Sequence, residues 1–298
     1  MDNRNRLLTE DIFKQVSNIL EQAGFTWYSI KYPGWKRSID IVASRGNSRL
    51  VMKIVEDLED LDSEEVRDLQ KSASAYDAIP LLASNSCGKR KMEDDVVYVK
   101  SNINAVTPNL LRNFLLKGEK PIIVKMKGSY LLRINKEVFS RLRTEMGLSL
   151  GAISEMLGVS RKSVYLYERG ELMITLERAI QLAERFGEDI FDEIDLFKDR
   201  FSDSPRLQED DSPKDPIEEE LINVLKHHAV KFYRFSRTAV DVALSAGESV
   251  SLIKVVDSEA STLEKIENAE KMVTGLRSRL VLVRRKEDVR EVKNILRA

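Results

Sequence analysis

A chain of 298 residues allows about two or three domains, each able to bury its own core. Although 33% of the residues are charged, the formal net charge is only −1, which excludes a general polyanion-coating protein but leaves room for a local basic patch. The single cysteine, Cys87, excludes an internal disulfide framework, and with only His227 and His228 beside it a structural zinc site is a poor fit. The first ten residues are polar and no apolar run reaches bilayer length, so the expectation is a soluble chain of the reducing cytoplasm with no membrane partner.

The stretch "LTEDIFKQVSNILEQAGF" predicts a helix with Ile12, Val16, Ile19 and Leu20 on one face, Thr9 as N-cap and Gly24 as its stop. Three strands follow in "FTWYSIKY", "SIDIVAS" and "RLVMKIVE", joined by turns at "YPGWK" and "RGNS". A helix in "DSEEVRDLQKSASAYDA", capped by Asp62 or Ser63, leads to strands in "IPLLAS" and "DVVYVK". This order suggests an α/β layer. A short helix capped by Thr107 with Pro108 at its first position comes next, then a hairpin turning at Lys127-Gly128-Ser129. From Asn135 to Phe191 everything has helical periodicity, broken at short glycine-containing turns. "DRFSDSPRLQEDDSPKDP" is polar and reads as an exposed linker, and a final unit follows.

That final unit repeats the first. "AVDVALSAGESVSLIKVVDS" aligns without a gap on "SIDIVASRGNSRLVMKIVED", with Asp241 on Asp40 and Lys254 on Lys53. The register continues into the next strand, where Ile79, Leu81 and Leu82 meet Leu280, Leu282 and Val283. Any two Asp-headed hairpins can align by chance. Two hairpins of equal loop length followed by a helix and strand in register favour a duplicated domain.

The middle of the chain predicts a first helix with Val138, Phe139, Leu142 and Met146 inward. Ser149 caps a second, with Ile153, Met156 and Leu157 inward. Gly158-Val159-Ser160 turns tightly, Gly158 at left-handed dihedrals, and Ser160 caps a third helix burying Val164 and Tyr167. Two short helices across a glycine turn form the unit that carries a second helix into a major groove. The run "GxSxxxIxxxLGVSxxxVxxYERG" resembles the Cro and lambda-repressor helix-turn-helix over about fifty-five residues. The resemblance implies base contacts from Arg161 and Lys162, with Tyr165 and Leu166 as further candidates. Arg and Lys can donate to guanine, and Tyr or Leu can pack on a thymine methyl. Ser160, Ser163 and the free N–H groups at the helix start suit a phosphate, and Arg169 lies just beyond for the DNA backbone. Arg143 and Glu168 are assigned to a structural pair. Leu150 stands where that family usually has a Gln that braces the recognition helix. The bland alternative is a bundle that kept the shape and lost DNA.

Helix, three-strand meander, helix and strand, with Asp40 and Lys53, resemble the PD-(D/E)XK nuclease fold. Such enzymes hold Mg²⁺ between the Asp and a second carboxylate two residues before the Lys. Here that position is Val51, and Leu252 in the repeat. Glu56 and Asp257 lie an odd number of residues from the lysines and so point to the other face of a strand. Asp40 and Lys53 therefore read as an ion pair that fixes the sheet, or as a residual phosphate contact, with no catalytic residue, metal or cofactor expected.

Together the parts resemble a family of archaeal HTH-type transcriptional regulatory proteins, in which a central Cro-type domain is flanked by degenerate nuclease-like domains. The expected class is α+β multidomain, a central all-α bundle between two related α/β domains. Expected boundaries are 1–128 for the first nuclease-like domain, 129–197 for the helix-turn-helix, 198–216 for the linker and 217–298 for the repeat. The expectation is a cytoplasmic regulator that binds double-stranded DNA as a homodimer, with a shared hydrophobic surface between paired sheets as the dimer contact and any small-molecule effector unread. The competing readings are a structure-specific Mg²⁺ nuclease and a protein-interaction module without DNA binding.

Overall fold

A computed structural model describes residues 3–201, 216–227, 231–246, 248–254, 260–284 and 288–289. Its contacts divide the chain into two compact units, one drawn from both ends (Met1–Lys91 with Asp203–Ala298) and one from the middle (Met92–Ser202).

In the N-terminal portion, α1 (Asn3–Gln22) buries Ile12, Val16, Ile19 and Leu20 almost completely. Thr9 sits inside this helix and is not its cap, because nothing between residues 3 and 8 breaks a helix. Gly24, at φ +76°, turns the chain out of it. Strands β1 (Thr26–Ser29), β2 (Ile41–Arg45) and β3 (Ser48–Ile54) form an antiparallel meander. Asp62 opens α2 (Ser63–Tyr76): it accepts the Glu64 N–H at 2.8 Å, and Glu65 accepts the Asp62 N–H at 3.0 Å. The chain returns in β4 (Ile79–Ala83), parallel to β3. A small hairpin of β5 (Ser86–Cys87) and β6 (Arg90–Lys91) follows. Asp57 ties it down, accepting the N–H groups of Glu59, Gly88 and Lys89 at 2.9, 2.8 and 2.6 Å.

The middle unit has a sheet ordered β8-β7-β9-β10-β11, from β7 (Val96–Lys100), β8 (Ile103–Val106), β9 (Ile123–Met126), β10 (Ser129–Leu132) and β11 (Ile174–Thr175). Between β8 and β9 lies α3 (Pro108–Arg112), capped by Thr107, which accepts the Leu110 N–H at 3.1 Å. Lys127 and Gly128 both take positive φ in the β9–β10 turn, as a two-residue hairpin requires. The helices are α4 (Lys136–Glu145), α5 (Leu150–Leu157), α6 (Arg161–Glu168) and α7 (Leu176–Phe186). Residues 135–191 are not wholly helical: β11 pairs Ile174 with Leu132 and Thr175 with Leu131. A two-residue strand is too short to carry a period, so helical spacing on both sides hides it.

The C-terminal portion runs α8 (Pro216–His227), β12 (Lys231–Arg234), β13 (Val242–Ala246), β14 (Glu248–Lys254), α9 (Ala260–Leu276) and β15 (Arg279–Val283). Its sheet, β12-β13-β14-β15, has the order and strand senses of β1-β2-β3-β4. In the parallel pairs Lys53 faces Leu82 and Lys254 faces Val283, so the aligned register holds. The hairpins do not match in length: Arg45 faces Ser48, whereas Ala246 faces Glu248. A gapless alignment counts residues and cannot see that the second turn is one residue tighter. Residues 202–215 of the expected linker, and Asp257, lie outside the described residues.

Within this unit α2 and α9 each pack on their own portion's strands, β3 and β4 for α2 and β14 and β15 for α9, and also on the other portion's. Helix α2 packs on β12 and β13, and α9 packs on β1 and β2. A Cβ on Gly275 would fall 2.6 Å from Val42, so only glycine lets α9 approach β2 this closely. Asp68 of α2 accepts the N–H groups of Ser236 and Arg237, each at 2.7 Å. Asn268 of α9 accepts the Lys31 N–H at 2.6 Å. Ser236 and Lys31 each lie two residues beyond the first strand of their hairpin, so the two contacts mirror one another.

Candidate nucleic-acid interface

The helices of the middle unit close on one core of Phe139, Ile153, Leu157, Val164, Tyr167, Ile174, Leu182 and Phe186. Phe139 meets Phe186 edge-on at 5.4 Å between ring centres. Met146 and Met156, expected inward, are 46% and 37% exposed. Met146 is the C-cap of α4, where the helical stripe has already ended, and Met156 lies one residue off the Ile153–Leu157 face of α5.

Each turn is built as its residues demand. Ser149 accepts the Ala152 N–H at 3.0 Å and starts α5. Gly158 ends it at φ 61°, ψ 38°, a left-handed cap that a β-carbon resists. Ser160 accepts the Ser163 N–H at 3.0 Å and starts α6. Burial of Val164 and Tyr167 then sets the rotation of α6 and turns its other face outward. On that face Ser160, Arg161, Lys162, Tyr165 and Arg169 are exposed, and Ser163 and Leu166 are partly so. Arg143 donates twice to Glu168, at 3.1 and 2.8 Å, and once to the Leu148 carbonyl at 2.8 Å, locking α4 to the end of α6. That pair is structural, as the resemblance implied.

Three observations add to the expected picture. A Cβ on Gly151 would lie 3.1 Å from the Arg161 guanidinium, so Arg161 rests over the first turn of α5. Leu150, which replaces the family's bracing Gln, packs on the core instead. Arg169 donates to the Tyr165 hydroxyl at 3.1 Å and pairs with Glu171, so it is drawn along its own helix end.

The Asp40 region is arranged differently. Asp40 and Lys53 are both buried. One Asp40 oxygen accepts from Arg37 Nε at 2.6 Å and the other from the Ile54 N–H at 2.7 Å. Lys53 Nζ donates to the Arg37 carbonyl at 2.6 Å and lies 3.5 Å from Asp40 and 3.3 Å from Glu65. Val51 is wholly buried, and no hydrogen bond or ion pair joins Glu56 to Asp40 or Lys53 among the described residues. The two carboxylates share an ammonium where a nuclease would hold Mg²⁺, so this donor set does not fit the ion. In the second copy Asp241 takes Lys265 of α9 at 2.8 and 2.6 Å. Among the described residues no group of three His, Cys, Asp or Glu side chains converges as a metal site.

Comparison with known proteins agrees with both halves. A model described as "PD-(D/E)XK superfamily domain" matches residues 9–121, and one described as "Helix-turn-helix" matches 140–192. A Pyrococcus horikoshii protein named "Putative HTH-type transcriptional regulatory protein" is 30% identical over 284 residues, covering 94% of this chain and 88% of that one. The chain belongs to this family of archaeal HTH-type transcriptional regulatory proteins. Members from Sulfolobus acidocaldarius and Thermococcus kodakarensis are each 31% identical, covering 90% and 88% of this chain and 88% and 80% of their own. No solved structure matches. Family membership brings a helix-turn-helix and a nuclease-like domain together in one mixed α/β chain, with no helix among the described residues long and apolar enough to cross a membrane.

Proposed function

We propose that this chain is a sequence-specific transcriptional regulator that reads the major groove of double-stranded DNA with helix α6. Arg161 and Lys162 contact base edges, Tyr165 and Leu166 contact neighbouring bases, and Ser160, Ser163 and Arg169 hold phosphates. The observation that carries this reading is the exposure of Arg161 and Lys162 at the start of a helix whose rotation is set by buried Val164 and Tyr167. One short helix contacts few bases, so the protein acts as a homodimer on two half-sites about 34 Å apart. The nuclease-like portions are a duplicated fold flanking the helix-turn-helix, and they serve assembly, not catalysis. Such a regulator works in the cytoplasm, where the chromosome is.

Selection of bound duplexes from a random library tests this. The expected result is a two-fold symmetric consensus recovered by the full chain. Recovery of unrelated sequences only would contradict it. The competing enzymatic reading draws on the nuclease-like match and on Glu65, a second carboxylate across Lys53 from Asp40. Mg²⁺-dependent cleavage of duplex, junction or flap DNA that disappears in Asp40→Asn would establish that reading instead.

A further inference from the structure

The hairpin joining β1 to β2 is four residues longer than its counterpart: Thr26 pairs with Ser44 in the first, and Lys231 with Ser245 in the second. The extra length carries Gly34-Trp35-Lys36, and Trp35 is 60% exposed. Both stems of the loop are fastened. The Ile30 N–H donates to the Asp40 carbonyl at 2.9 Å, the Lys31 N–H to Asn268 at 2.6 Å, and the Ser38 N–H to the Arg237 carbonyl at 2.8 Å. Lys36 meets Asp62 at 3.0 Å and Arg37 meets Asp40 at 2.6 Å.

An isolated exposed apolar residue is ordinary on a protein surface. This one stands on a loop the second copy does without, and the loop is held in shape before any partner arrives, which lowers the ordering cost of a contact. Its surroundings decide the partner. Gly34 and Lys36 beside it and Lys31 a few residues away are exposed, while Tyr32 and Pro33 between them are partly buried, so the exposed side chains next to the indole along the loop are cationic. An aromatic face between cations matches a nucleotide, with stacking on the base and charge on the flanking phosphates. Asp62 also accepts a helix N–H and Asp40 the Ile54 N–H, so each keeps a partner if its cation turns to phosphate.

We propose that the Trp35 loop is a second DNA contact, in which Trp35 stacks on an unpaired or unstacked base while Lys31 and Lys36 take the adjacent phosphates. This rests on the DNA-binding reading above and adds a surface for locally opened DNA. The test uses the emission of the full chain, whose only tryptophans are Trp27 and Trp35. Trp27 packs edge-on against Phe13 at 6.1 Å and serves as the constant background. A single-stranded oligonucleotide or a duplex with a bulged base should quench Trp35. Trp35→Ala should abolish the quench and weaken single-strand binding about tenfold. The quench should persist in a chain carrying Arg161→Ala and Lys162→Ala, which separates this surface from α6. Unquenched Trp35 at saturating DNA, with Arg161-dependent duplex binding intact, would overturn the proposal and leave the reading of α6 standing. Emission that shifts with protein concentration without DNA would give the loop to a second copy, and would also overturn it. A quench with no Arg161-dependent binding would retain the proposal and defeat the reading of α6.

Discussion

Two basic sites in this chain use the same side-chain chemistry to opposite ends. Around Asp40, Arg37 and Lys53 are turned inward, and every charge has a partner within 3.5 Å. At the start of α6, Arg161 and Lys162 face water, and Arg161 rests against the first turn of α5. A charge whose partner is supplied by the fold contributes to the fold. One that the fold leaves without a counter-ion is available to a ligand, and its desolvation cost is deferred to binding. The nuclease-like core shows the first arrangement around Asp40. The helix-turn-helix shows the second.

The contrast breaks most visibly at Asp40. Asp40→Ala leaves Lys53 and Arg37 buried or half-buried without their shared carboxylate, and should cost about 3–5 kcal/mol of stability. Urea titration should show the loss, while DNA affinity per folded molecule stays within about twofold of the parent. A smaller effect is expected at Ser160. Removing the cap of α6 by Ser160→Ala should cost about 0.5–2 kcal/mol and also weaken DNA binding, because the same hydroxyl orders the reading helix. A fall in stability with unchanged DNA affinity would show that α6 is not the reading element.

The smallest effect concerns Asp68, which joins α2 to the hairpin of the second copy. Burial holds its carboxyl above the usual carboxylate range, outweighing the bonds from the Ser236 and Arg237 N–H groups. The unfolded chain therefore loses this proton first, near the ordinary carboxylate value of about 4. Stability from this residue should fall as pH rises from there through the higher folded value, and then level off. Asp68→Asn keeps an accepting oxygen and cannot titrate. It should change stability at neutral pH by less than about 1 kcal/mol and flatten that part of the pH profile in urea melts.

Much of the helix-turn-helix was legible from spacing alone, since Gly158, Ser160, Val164 and Tyr167 each meet a local requirement of turn, cap or core. Ends of helices were less legible. Met146 and Met156 continue an apolar count by number but not by angle, and Thr9 suits a cap although the helix passes through it. The Asp40 and Lys53 pairing followed from the hairpin. Glu65 did not, because in sequence it is simply the last residue of a capping box, and only the fold shows that its second oxygen reaches Lys53. Gly151 gave no hint of Arg161, which meets it from ten residues away across a turn. The sharing of α2 and α9 between the two sheets was hidden for the same reason. Asp68 with Ser236, and Asn268 with Lys31, are long-range pairs of a helix residue with a residue just past a strand, and each member looks like an ordinary surface residue in its own segment. The tighter second hairpin escaped because alignment assumes equal spacing where the backbone does not.

The central claim is that α6 meets DNA through its exposed basic start. Its most direct test is retardation of a selected duplex by the full chain carrying Arg161→Ala and Lys162→Ala together, with thermal unfolding measured on the same sample. The account predicts an unchanged melting profile and loss of specific retardation, roughly a hundredfold or more in affinity at fixed salt given about 1–3 kcal/mol for each base contact. Undiminished, sequence-specific retardation by that folded variant would contradict it.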